Sequence, residues 1–243
     1  MRNLWLAAGL VLGFTAAAQQ NQPPLSAEQI IEKSIEASGG RARMARLTST
    51  YASGMLEFTG PGLHGKMEVY AKAPNKQLVI MTLEGVGELR QAFDGQAGWV
   101  QHPSGDIQEV SGAALDDMRR SAVFGAALKW RELYPRAELI GEENVGDRKA
   151  YAIRLTPASG RPVTRYIDAQ TFFLVREAGT RETPQGALEM TVDFADYRDV
   201  GGIQMPFYIR ETMPNVEIVV KITTIKNDTP IDDAVFARPA AKK

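Results

Sequence analysis

Apolar and polar positions follow two rhythms along this chain, and the change between them divides it. From Ser26 to Gly40 the period is helical: Ala27, Ile30, Ile31 and Ile35 fall on one face. Ser26 with Gln29 three residues on predicts a capping box. Gly39-Gly40 predicts the stop, because glycine accepts the left-handed backbone of a helix end. Arg41 to Leu47 adds one short further turn. From Thr48 the period becomes two. Ala52, Leu56 and Phe58 share a side, and Met67, Val69 and Ala71 alternate with Lys66, Glu68, Tyr70 and Lys72. Gln77 to Leu83 is apolar on both sides, which predicts a strand covered on both faces. Leu89 to Phe93, Tyr151 to Leu155, Val163 to Asp168, Phe172 to Glu177, Leu188 to Phe194 and Val216 to Ile222 continue the habit. Turn residues separate the runs: Gly60-Pro61-Gly62, Pro74-Asn75, Gly85, Asp94-Gly95 and Gly201-Gly202.

One segment interrupts the alternation. Gly112 to Tyr134 reads as helical, with Leu115 and Met118 on one side and Asp116, Asp117, Arg119 and Arg120 facing away. Gly125 weakens helix propensity and is the point where the segment would divide. Beyond Ser121 it is rich in apolar residues, and Pro135 ends it. Thr48 to Asn227 therefore reads as one continuous sheet system of about ten or eleven strands. Its edges would be removed by closure or covered by the helices.

The N-terminus adds an address. Arg2 precedes an apolar run of 11 residues, Leu4 to Phe14, and Ala16-Ala17-Ala18 supplies small residues before Gln19. That run is too short to span a hydrocarbon core of about 30 Å. The expectation is a signal peptide over 1–18, cleaved after Ala18, and a single domain over 19–243. The chain has no cysteine, so no thiol can carry a lipid at the cleavage point and no disulfide staples the fold. An apolar fraction of 44% allows a sizeable core. Net charge is −1 for the whole chain and one unit lower without Arg2. This near-neutrality gives no basis for bulk attraction to nucleic acid or an acidic membrane, and no nucleic-acid partner is expected. Arg41, Arg43 and Arg46 read as a solvated helix face.

The chemistry-bearing residues are sparse. His64 and His102 are the only histidines, and both read as surface turn residues. No G-x-S-x-G elbow, H-E-x-x-H pair or phosphate loop occurs. Asp116-Asp117 reads as helix solvation and Asp232-Asp233 as a turn, because sequence neighbours do not face one another. No catalytic residue, metal or cofactor is expected. The candidates are apolar instead. Trp99 is placed in a turn after Gly98. Leu115, Met118, Val123, Phe124, Leu128 and Trp130 form a helical lid. Met190, Val192, Phe194, Ile218 and Val220 form the sheet face beneath it. For any one of them, simple core packing competes with lining a cavity.

Four stretches resemble the LolA-like superfamily of periplasmic lipoprotein carriers. They are Phe93-Asp94-Gly95-Gln96-Ala97-Gly98-Trp99-Val100, Tyr166 through Arg176, Asp196-Tyr197 through Met205-Pro206, and Ile231-Asp232-Asp233-Ala234-Val235-Phe236. The resemblance implies a mainly β fold: an incomplete antiparallel β-barrel covered by an N-terminal helix and a helical insertion. It implies a hydrophobic cavity for acyl chains. The implied role is a non-enzymatic, monomeric periplasmic carrier of lipoproteins or lipid, meeting inner- and outer-membrane lipoprotein-handling proteins. An envelope sensor on the same fold is the alternative, and a hydrolase ranks last. The family's lid-holding arginine has no counterpart among Gly65 to Lys72.

Overall fold

The computed structural model describes residues 24–60, 62–183 and 186–240. The expected signal peptide and its cleavage point at Ala18 lie outside the described residues. Helix α1 (Ala27–Ala37) starts on the expected capping box: Ser26 Oγ accepts from Gln29 N, and Gln29 Oε1 accepts from Ser26 N. Gly39 and Gly40 end it with positive φ, and α2 (Arg41–Met44) is the short turn that follows.

The strands form two meanders. The first is β1 (Ser49–Phe58), β2 (Leu63–Lys72), β3 (Lys76–Leu83), β4 (Gly87–Phe93), β5 (Gly98–Gln101) and β6 (Ile107–Val110). The second is β7 (Arg136–Val145), β8 (Arg148–Thr156), β9 (Val163–Asp168), β10 (Leu174–Thr183), β11 (Gly186–Val200), β12 (Ile203–Met213) and β13 (Val216–Asn227). All thirteen join one antiparallel sheet in the order β6-β5-β4-β3-β2-β1-β13-β12-β11-β10-β9-β8-β7. The β1–β13 ladder is the seam between the meanders. The sheet is open, with β6 and β7 at its edges.

The count exceeds the expected ten or eleven because β5, β6 and β7 escape the pattern. The first two have only four residues each. The third is a mostly exposed edge strand whose register shifts between Leu139 and Gly141. Helical character between the meanders is also less continuous than expected. α3 (Gly112–Ser121) and α4 (Trp130–Leu133) are separated by irregular backbone. Gly125 sits in that stretch at φ +67°, so the division falls where glycine permits it.

One helix shows that the sheet curls. Met118 and Leu115 of α3 lie directly on β5, where a Cβ on Gly98 would come within 2.4 Å of Met118 Sδ. Asp117 of the same helix accepts a hydrogen bond from Glu182 N of β10 at 2.7 Å. Those strands are eight spacings apart in the sheet order, about 38 Å if flat. A helix of ten residues is only about 15 Å long. The two halves must therefore face one another across α3.

Cross-strand register sorts the two faces. On the inner face Leu56 stands opposite Gly65 and Val220, Val220 opposite Ile209, and Ile209 opposite Phe194. α1 covers the far end of this face through Ile30, Ile31 and Ile35 on Ile153, Leu155 and Ile167. The outer face of β3–β5 is closed by the C-terminal segment. Ile231 and Phe236, the latter in a 3₁₀ turn over Asp233–Phe236, pack on Leu78, Ile80, Ala92 and Trp99. This is the cover expected for the doubly apolar run Gln77 to Leu83. Lys72 and Lys76 fix the turn by pairing with Asp233 at 2.7 and 2.8 Å.

Candidate functional site

The interior between the two halves of the sheet holds the candidate site, and the segment from α3 to Tyr134 roofs it. The roof is fastened along its length. Arg120 pairs with Asp117 and donates to Ser159 O. Phe124 N donates to Pro74 O at 3.0 Å, reaching the β2–β3 turn. Arg41 donates to Leu128 O at 3.2 Å. At its far end Trp130 Nε1 and Arg131 donate to Glu32 of α1 at 3.1 and 2.7 Å, and Arg41 donates to the same carboxylate at 2.7 Å. Burial works against ionisation of Glu32. The hydrogen bonds from Arg41, Arg131 and Trp130 outweigh it and bring the carboxyl down to about 2.

Two cavities lie below. One, of about 260 Å³, is mainly apolar. Ile31 and Ile35 of α1 face Ile153, Leu155, Ile167, Leu174, Phe194, Ile203 and Met205 across it. Tyr197 lines it too. Its hydroxyl donates to Leu174 O at 2.6 Å, and burial pushes the phenol pKa up. The second, also about 260 Å³, is polar and lies under α3 and Tyr134. Arg120, Arg161, Arg165, Arg181, Asp117 and Glu177 reach it, beside Met190 and Val192. Arg165 lines both. It projects from the inner face of β9 between Val163 and Ile167, donates through Nε to Glu177 at 2.7 Å, and lies against the Tyr134 ring. Burial disfavours its charge, but the adjacent Glu177 carboxylate more than compensates and raises its pKa.

The structure separates the sequence-predicted residues into five groups. Trp99 is on β5, not in a turn, and it faces outward. It is buried under the C-terminal segment, with Nε1 donating to Phe236 O at 3.0 Å. It cannot reach the interior, and the core reading holds for it. Leu115 and Met118 pack on Phe93, Val110 and Ala114 at the β5–β6 end, as a wedge beside the cavities. Val123 and Phe124 are half-buried in the roof, while Leu128 and Trp130 join the core under α1. Met190 and Val192 line the polar cavity and Phe194 the apolar one. Ile218 and Val220 belong to the central inner-face cluster with Leu56 and Phe207.

Some of what matters here was not expected. Asp117 is only 17% exposed and ties α3 to β10, so it does more than solvate a helix. His64 lies on β2 rather than in a turn, paired with the exposed Glu84 at 2.9 Å. Arg165 and Glu177 were missed entirely, although Arg165 occupies a position that the period-two pattern reserves for an apolar side chain. Among the described residues no three His, Asp or Glu side chains cluster as metal ligands.

The chain is thus an open, curled antiparallel sheet roofed by a helical segment over a partly apolar interior. Three solved structures make the assignment more specific. A DUF1329 family protein from Desulfovibrio piger superposes with a TM-score of 0.60 at 15% identity, covering 89% of this chain and 99% of that one. A LolA superfamily protein from Nitrosomonas europaea gives 0.59 at 16% identity, covering 88% and 99%. A putative outer membrane lipoprotein-sorting protein domain from Vibrio parahaemolyticus gives 0.55 at 12% identity, covering 86% and 97%. No family model matches the chain, and no curated protein matches it. The fold is LolA-like.

Proposed function

We propose that this protein carries the acyl chains of lipoproteins or of lipids across the periplasm, without catalysing a reaction. One observation carries the reading: apolar surface runs unbroken from the cavity under α1 to the middle of the sheet. Phe194 lines the cavity and stands opposite Ile209, which stands opposite Val220. Around Val220 the residues Phe58, Met67, Met81, Leu83 and Ile218 are only partly buried. A cavity of about 260 Å³ holds about nine water-sized groups at ~30 Å³ each. It suits part of one acyl chain, and the neighbouring inner face offers space for the rest. At ~0.8 kcal/mol per buried CH₂, nine methylenes contribute about 7 kcal/mol, enough to offset partial opening of the roof. The LolA-like fold and the apolar run Leu4 to Phe14 support a periplasmic setting.

The test is mass spectrometry of lipids that co-purify with the native protein, joined to titration with a diacylated peptide and its unacylated form. Saturable binding of the acylated peptide alone supports the carrier. Absence of both co-purifying lipid and saturable binding refutes it. Recovery of a single membrane regulator from envelope extract, with no acyl dependence, would favour the sensor.

A further inference from the structure

The polar cavity lies off the apolar path described above, and its composition is unusual for the interior of a sheet. On the inner face of β11, Val192, two residues from Phe194, stands opposite Glu177 of β10; Glu177 stands opposite Arg165 of β9, and the apolar face resumes at Ile153 of β8. A charged pair inside an apolar face is costly unless its groups are satisfied. No buried side-chain nitrogen or oxygen among the described residues lacks a partner. Arg165 gives only Nε to Glu177 and is 21% exposed, so its remaining N–H groups open into the cavities it lines.

The charges around this cavity do not cancel. Arg120 is paired with Asp117, Arg161 with Glu182 and Arg165 with Glu177. Arg181 has no ion-pair partner or side-chain hydrogen bond among the described residues, and it leaves one positive charge uncompensated at the rim. Guanidinium groups offer planar forks of donors that match the oxygens of phosphate and carboxylate. Arg165 reaches both cavities, so an oxyanion in the polar one would be continuous with a chain in the apolar one.

We infer that the two cavities form a single amphipathic site, in which the arginine-lined chamber selects an anionic head group, phosphate or carboxylate, attached to the acyl chain held next door. This rests on the carrier reading and adds a head-group preference to it.

The experiment compares two single-chain lipids of equal chain length on the full chain, both below their micellar concentrations. One is lysophosphatidylglycerol, which is anionic, and the other lysophosphatidylcholine, which is zwitterionic. Glycerol phosphate serves as a head group without a chain. Titration calorimetry should show the anionic lipid binding about tenfold tighter at low salt, the effect of one charge-assisted hydrogen bond. The ratio should fall towards one in Arg181→Gln, and in the original chain at high salt. Glycerol phosphate should not saturate the site. Equal affinity for the two lipids overturns the inference and leaves the carrier standing. Glycerol phosphate binding as tightly as the anionic lipid also overturns it, because the chamber would then be a free-anion site. Failure of both lipids to bind removes the carrier reading and this inference with it.

Discussion

Replacing Glu32 by glutamine removes one negative charge from the junction of α1, α2 and the roof while keeping the side chain's shape. In the native protein that carboxylate holds Arg41, Arg131 and Trp130 together. Its ionisation falls from 4.5 to about 2, worth about 3 kcal/mol at ~1.4 kcal/mol per pH unit. The carboxylate is 35% exposed and its arginine partners 43% and 59%, so solvent screening reduces the figure to about 1–2 kcal/mol. For a domain of this size the melting temperature should drop by about 2–8 °C at pH 7. The sign of the pH dependence follows from the depressed value. The contribution is complete above pH 4.5 and disappears as pH falls towards 2. The melting temperatures of the two proteins should therefore differ by a constant amount above about pH 5 and converge below it. Hydrogen exchange at neutral pH locates the effect. The roof amides of Leu128, Lys129 and Tyr134, which donate within the segment, should exchange about 5–30-fold faster. Unchanged exchange there, or a melting difference that persists at pH 2, would refute the view that Glu32 fastens the roof.

Four other substitutions probe the frame. Phe236→Ala empties the plug on the outer face, where Phe236 is fully buried against Trp99, Leu78 and Ile80, and should cost about 3–5 kcal/mol in urea unfolding. Gly65→Ala would set a Cβ 2.0 Å from Thr82 O. Since the obstacle is backbone, thermal melting should show a loss of about 3 kcal/mol or more, whereas Gly60→Ala, with open space around it, should be near neutral. Asp193→Asn breaks the bridge that joins Arg176 and Arg210 across three strands at 2.5 and 2.7 Å. With Asp193 13% exposed and its partners partly wet, the expected loss is about 2 kcal/mol by denaturant midpoint. Hydrogen bonds from both arginines outweigh burial and hold this carboxyl below its ordinary range, so its contribution also fades in acid.

The strand pattern was legible wherever one face meets solvent and the other does not. Val192 and Phe194 against Asp193, and Val220 and Ile222 against Lys221, announce their faces by alternation. The stops at Gly39-Gly40, Asp168, Gly201-Gly202 and Asp232-Asp233 were legible because each needs a specific backbone or capping chemistry. Asp168 Oδ1, for example, accepts from both Gln170 N and Thr171 N. The side on which Trp99 falls was not legible. It depends on the register of Phe93 opposite Gly98, and a slip of one residue would reverse it. The edge strand β7, with Glu138, Glu142, Glu143 and a register shift, carries no period to read. The Arg165–Glu177 pair was beyond reach for a different reason. Arg165 breaks the apolar alternation of Val163 and Ile167, but nothing in the sequence names its partner until strand pairing places Glu177 beside it.

The seam between β1 and β13 has a kinetic consequence. Each meander is built from neighbouring hairpins that close over short loops. The ladder that unites them pairs Thr50 with Asn227, almost the whole described length apart. Loop-closure entropy makes such a contact late and slow. Until β13 is available, β1 presents an unpaired edge, and the C-terminal plug that buries Trp99 follows β13 in the chain. A polypeptide emerging from its N-terminal end should therefore stay open until nearly all of it is present. That delay would expose the unpaired edge to edge-to-edge aggregation if synthesis stalls. Pulse-labelled exchange during refolding, with β10–β11 amides protected before those of the seam, would display that order. Simultaneous protection would contradict it.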